Sequence, residues 1–156
     1  MSGVVPRVEK AVSEEELKRV FAIRLRVFVR EQGVPEEIEL DEDDPKAIHF
    51  LARVRRRAVG TARLVLKNRR AKIGRMAVLK SYRGKGVGKA LLKRAIESAR
   101  KSGAKTMYLH AQIPVIGFYE KMGFHSVGRV FVEAGIPHRK MVFGRSSPSH
   151  CSSRPS

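Results

Sequence analysis

The stretch RMAVLKSYRGKGVGKALL (residues 75–92) decides how this chain folds. Its first part is β-rich and its last part begins an amphipathic helix. Gly84, Gly86 and Gly88 stand at alternate positions between them, with Arg83, Lys85 and Lys89 as interleaved cations. A P-loop needs G-x-x-x-x-G-K-S/T, and no such run exists here. A dinucleotide fingerprint needs G-x-G-x-x-G, and this spacing departs from it. What remains is a glycine-rich start to a helix. Such a start exposes unpaired N–H groups carrying about half a positive charge. Glycines let an anion approach that backbone closely, and successive N–H groups form a nest. The turn is read as an anion site suited to a pyrophosphate.

Outward from the turn, Ala90, Leu91, Leu92, Ala95, Ile96 and Ala99 form the buried face of the helix, and Gly103 stops it. AKIGRMAVLK before it and TMYLHA after it read as strands. Together they predict a strand, crossover helix and parallel strand, a right-handed unit. Upstream, AIHFLARV and VGTARLVL form a hairpin around residues 55–57. VPRVEKAV reads as an edge strand. Ser13 and Glu16 then make a capping box. Leu17, Val20, Phe21, Leu25 and Phe28 predict one amphipathic helix to about Val29. EQGVPEEIELDEDDP is a loop. Pro114 opens a short helix through Met122, and SVGRVFV with HRKMVF predicts a closing hairpin. The domain is placed at residues 4–144. The Ser-rich tail, 145–156, has no apolar face and is expected to be disordered.

The 156 residues suffice for one domain with its own core. No apolar run reaches the ~18 residues of a membrane span, and the first residues lack a signal pattern. The single cysteine, Cys151, excludes an internal disulfide. A cytoplasmic location is expected. The formal charge of +18 is uneven: residues 1–44 carry −5, and residues 45–156 carry +23. That basic half raises nucleic-acid binding as a rival function. No RNP, zinc or helix-turn-helix pattern supports it, and aromatics are only 6%, so base stacking is poorly served. No metal-ligand spacing occurs, and no metal is expected.

Arg83-x-x-Gly86-x-Gly88 resembles the pyrophosphate loop, Gln/Arg-x-x-Gly-x-Gly/Ala, of the GNAT superfamily of acyl-CoA N-acyltransferases. FYEKMGF (118–124) resembles that family's second signature. The likeness covers about residues 5–143. It implies an α+β fold, a mostly antiparallel mixed sheet with helices on both faces. It also implies acetyl transfer from acetyl-CoA to a primary amine by direct attack in a ternary complex. In such enzymes the strand before the loop splays from its neighbour. The resemblance therefore assigns the backbone of Met76, Ala77 and Val78 to the pantetheine arm. Arg83, Gly84, Lys85, Gly86, Val87, Gly88 and Lys89 fall to the pyrophosphate, mainly through backbone N–H groups. A CoA-binding relative without catalysis is the remaining alternative.

The family position of Tyr119 implies a donor to the departing thiolate. A phenol of pKa ~10 gives a proton to a thiol of ~8.5 only uphill, so hydrogen bonding is the main role expected. The Val78 N–H is the expected oxyanion donor. An ammonium of pKa ~10.4 is about one part in 10³ neutral at pH 7, so a base helps. His138 is the sharper candidate, with Glu39 and Asp41 as alternatives that could instead hold a cationic acceptor. His110 reads as more structural, though with Gln112 it could touch substrate. Arg24, Arg26 and Arg75 suggest a small amine bearing an acidic group, against the acidic loop 36–44, which favours a polyamine. A monomer or homodimer is expected.

Overall fold

The structure, a computed structural model, describes residues 5–144. The expected tail, 145–156, lies outside the described residues. Among the described residues, seven strands form one sheet in the order β1-β2-β3-β4-β5-β7-β6. They are β1 Pro6–Lys10, β2 Ile48–Val54, β3 Arg57–Lys67, β4 Arg70–Val78, β5 Thr106–Gln112, β6 Phe124–Glu133 and β7 Ile136–Phe143. All pairs are antiparallel except β4–β5. That parallel pair brackets helix α3, Val87–Lys101, as the strand–helix–strand reading requires. The closing hairpin enters with its second strand first, so β7 lies between β5 and the edge strand β6.

The alternation of β2 sets the layers. Phe50 and Ala52 join the core beneath α3, while Leu51 joins a second core beneath helix α1, Glu14–Arg24. Successive strand residues face opposite ways, so the two helices cover opposite faces. Val87, Leu91, Leu92, Ala95, Ile96 and Ala99 of α3 are buried against Phe50, Leu64, Ile73 and Leu109. Fully burying each leucine there contributes about 1.5–3 kcal/mol. A Cβ on Gly60 of β3 would lie 3.0 Å from both Leu91 and Val87, so that glycine sets how closely α3 approaches the sheet.

Two expectations change. The first helix begins at the Ser13–Glu16 capping box as expected, but it is not one α-helix to Val29. From Leu25 to Glu31 it is a π-helix, with the Gln32 N–H donating to the Val27 carbonyl five residues back. Its buried face is also rotated: Val20, Ile23, Arg24 and Val27 are the buried residues, and Leu17, Phe21, Leu25 and Phe28 stay partly exposed. A wholly buried arginine holds that face, for reasons its partners supply below. The loop after it contains a one-turn helix, α2 Glu36–Glu39, rather than being irregular throughout.

Candidate active site

β4 and β5 pair only at Arg70–Thr106, Ala71–Met107 and Lys72–Tyr108. Beyond that point residues 73–78 and 109–112 diverge. The cause is visible on the other side of β4. Its register with β3 shifts between Thr61 and Arg63, leaving Arg75 and Met76 opposite the single residue Ala62. Arg75 takes φ +49, the left-handed conformation of a bulge. A bulge bends the strand away from its parallel neighbour. The opening is a cleft of about 940 Å³, lined by both strands, the π-helix, the glycine turn and the β6–β7 end.

Backbone direction at the cleft follows from one bond. The Leu79 N–H donates to the Val59 carbonyl at 2.8 Å. In an antiparallel ladder the adjacent residue turns its N–H and C=O the other way. Val78, opposite Gly60, therefore points both groups away from β3 toward the gap. Its carbonyl accepts from Arg83 Nε at 2.8 Å. Met76 and Ala77 also line the cleft, although the Ala77 side chain is buried in the core beneath α1.

The turn has the geometry its glycines suggested. Gly84 and Gly86 take φ +74 and +86, and Gly86 is the N-cap of α3. Arg83, Gly84, Gly86, Gly88 and Lys89 line the cleft. Lys85 and Val87 do not: the Lys85 ammonium lies 5.8 Å from the Tyr82 ring, and the Val87 side chain is buried under α3. Only their backbone N–H groups remain relevant to an anion. Arg83 is already engaged, donating to Glu31 at 2.6 and 2.9 Å.

The acceptor side overturns the charge argument. Arg24 is 0% exposed and donates to Glu39 at 2.5 Å and to Asp44 at 2.8 Å. It is absent from the cleft wall. Arg26 is exposed and also off that wall. Arg75 does line the cleft, but it is held by the Glu39 carbonyl at 3.1 Å and by Asp41 at 3.0 Å. Arg63 completes the set, donating to Asp41 at 2.7 Å and Asp44 at 3.0 Å. Three arginines and three carboxylates thus neutralise one another. Within that cluster neither sign is left over, because a charge taken from water needs a partner; outside it, Asp43, Lys72, Lys89 and Glu133 also line the cleft. Burial pushes the Asp44 carboxyl up. Hydrogen bonds from Arg24, the Asp41 N–H and Arg63 outweigh it and hold the group at about 2. Burial pushes the Glu39 carboxyl upward despite Arg24 and Arg75.

Tyr119, on helix α4 Ile116–Lys121, lines the cleft and packs edge-on to Phe118 and Phe124. Burial pushes its hydroxyl up to about 12. His138 on β7 is buried, lies opposite Gln112 of β5, and stacks on Phe131. Its Nδ1 is 2.7 Å from the Ile136 carbonyl, which can only accept, so the neutral ring keeps its lone pair on Nε2. Gln112 donates to Gln32 at 3.0 Å, joining β5 to the end of the π-helix. The residue that sequence reasoning missed is Glu133 on β6. Its carboxylate lies 2.9 Å from His110 Nδ1, and both line the cleft. Glu133 is one of three acids in residues 45–156, and that isolation was its only signal. Among the described residues no group of His, Cys, Asp or Glu could hold a metal. No described helix is long and apolar enough to cross a membrane.

Comparisons with known proteins agree with this architecture. Residues 8–144 match the family described as Acetyltransferase (GNAT) domain. The chain is 38% identical over 133 residues to the uncharacterized N-acetyltransferase YjcF of Bacillus subtilis, covering 85% of this chain and 95% of that one. It superposes on Escherichia coli ElaA with a TM-score of 0.78 at 29% identity, covering 90% and 99% of the two chains. An acyl-CoA N-acyltransferase from Pseudomonas aeruginosa gives 0.73 at 26% identity, covering 91% and 100%.

Proposed function

Because the chain belongs to the GNAT acetyltransferase family, we propose that it moves the acetyl group of acetyl-CoA directly to the primary amine of a small molecule. The observation that carries this reading is the β4–β5 gap, which opens toward the glycine turn where residues 73–78 and 109–112 no longer pair with each other. An extended pantetheine arm suits such a gap, because its amides can pair as a strand would. The turn at the start of α3 suits the pyrophosphate. Bound there, acetyl-CoA supplies the activated acyl group.

The chain's own groups then have distinct tasks. The Val78 N–H faces the gap and donates to the carbonyl oxygen as negative charge grows on it. Tyr119 stays protonated at neutral pH and donates to the departing sulfur. The amine must lose a proton, and two imidazoles stand on the same wall, His138 and His110. The direct route needs no enzyme nucleophile, and Cys151 is the chain's only cysteine.

The charge-paired arginines and acids withdraw the preference for an acidic amine. Acceptor choice falls to the shape of the cleft and the groups around His110. Free-thiol release from acetyl-CoA across a library of amino acids, amino phosphonates, polyamines and lysine peptides tests the proposal. Release that depends on a small amine supports it. Release only with peptides would replace the small-molecule acceptor with a protein one.

A further inference from the structure

We propose that His110, oriented by Glu133, is the group that takes the proton from the attacking amine. This rests on the acetyl-transfer reading, and it displaces His138 from the role of base. His110 points from β5 to the same sheet face as His138 on β7, since Gln112 pairs with His138 and His110 pairs with Lys140. Phe131 separates the two rings, edge-on to His110 at 4.9 Å and stacked on His138 at 5.9 Å.

The partners of the two rings differ in kind. His138 donates to a neutral carbonyl, that of Ile136. His110 faces a carboxylate, Glu133, which can only accept. Nδ1 of His110 therefore carries the hydrogen and Nε2 the lone pair. A carboxylate behind an imidazole fixes its tautomer and stabilises the imidazolium formed when Nε2 takes a proton. A carbonyl does the first and little of the second. Exposure favours the same ring: His110 is half-buried, whereas His138 is buried.

The charged groups around the pair make Glu133 necessary. Lys72 of β4 and His138 of β7 both act on the Glu133 carboxylate, which the His110 hydrogen bond holds at about 2. Lys140 of β7 sits across from His110, and Tyr108 lies beside it on β5. Without Glu133, an imidazolium at His110 would have no carboxylate beside it to oppose its charge. In the reaction the amine nitrogen bonds to the acetyl carbon and the carbon–sulfur bond breaks. The amine proton goes to His110 Nε2, and the departing thiolate accepts a hydrogen bond from the Tyr119 hydroxyl, which keeps its proton, and takes its own proton from water.

The test is the pH dependence of kcat at saturating amine and acetyl-CoA. Glu133→Gln keeps the size of the side chain and an oxygen for Nδ1–H. It is expected to move the acid limb to lower pH and to lower the plateau about tenfold. His138→Gln is expected to leave that limb in place. A limb that follows His138, or stays unmoved in Glu133→Gln, overturns the proposal. A second readout needs no turnover. Nitrogen NMR of the His110 ring is expected to show hydrogen on Nδ1 in the wild type and a redistributed tautomer in Glu133→Ala. A tautomer indifferent to Glu133 overturns the pairing whether or not the protein acetylates. A Glu133-dependent tautomer in a protein that acetylates no amine would instead count against the function.

Discussion

Arg83 grips Glu31 with both ends of its guanidinium, at 2.6 and 2.9 Å, while its Nε holds the Val78 carbonyl. The motif arginine of the glycine turn is thus tied to the last residue of the π-helix. A carboxylate occupies the cation that a pyrophosphate would seek.

This pairing predicts competition. Removing the Glu31 charge should free Arg83 for the incoming anion. The pair is substantially exposed, so the gain should be small, about two- to fivefold in acetyl-CoA affinity for Glu31→Gln. Titration calorimetry measures it. Weaker binding in that variant would show that Arg83 serves the π-helix and not the ligand.

Gly86 tests the turn itself. Its φ of +86 is strained for any side chain, although a Cβ there would meet nothing within 4 Å. Gly86→Val should therefore disturb the backbone donors without a core clash. A loss of acetyl-CoA affinity of at least tenfold, about 1.4 kcal/mol or more, is expected in a protein whose circular dichroism is unchanged.

Tyr119→Phe removes only the hydroxyl. Because that group is pushed up to about 12, it remains a donor through the neutral range. The variant should lose kcat about tenfold or more while acetyl-CoA affinity stays near wild type, since the bond strengthens in the transition state. Steady-state kinetics with the best amine decide it.

Acid should loosen the arginine–carboxylate network. The folded Asp44 carboxyl, at about 2, lies below its unfolded value of ~3.9. Its stabilisation is present above ~pH 4 and is lost as pH falls toward about 2. The amount is about 2 kcal/mol, trimmed by Glu39, whose upward shift acts in the opposite sense. Asp44→Asn should cost about 3 kcal/mol at pH 7 by leaving buried Arg24 underpaired. Urea unfolding at pH 7 and pH 3 measures both.

The sheet, the crossover and the glycine turn were legible because local patterning specifies them. Alternation marks β4, the α3 face repeats at helical spacing, and the capping box fixes the start of α1. The missed features depend on pairing across the fold. Helix periodicity cannot show that Arg24 is neutralised by acids 15 and 20 residues away, so from sequence alone it stands among the acceptor-binding candidates. The bulge at Arg75 that opens the cleft is a register shift between strands, and a single-strand pattern does not carry it. The His110–Glu133 contact exists because β7 inserts between β5 and β6, an order that residue spacing leaves open.

The proposed activity is amine-dependent transfer from acetyl-CoA in the β4–β5 cleft. Its most direct test is thiol release by the purified protein with acetyl-CoA, with and without the best amine, while the amine is followed by mass spectrometry. Release only when amine is present, one acetylated amine per thiol, and a lower rate in Tyr119→Phe are expected. Acetyl-CoA that binds tightly but releases no thiol with any amine, or thiol release with no acetylated product, would contradict it.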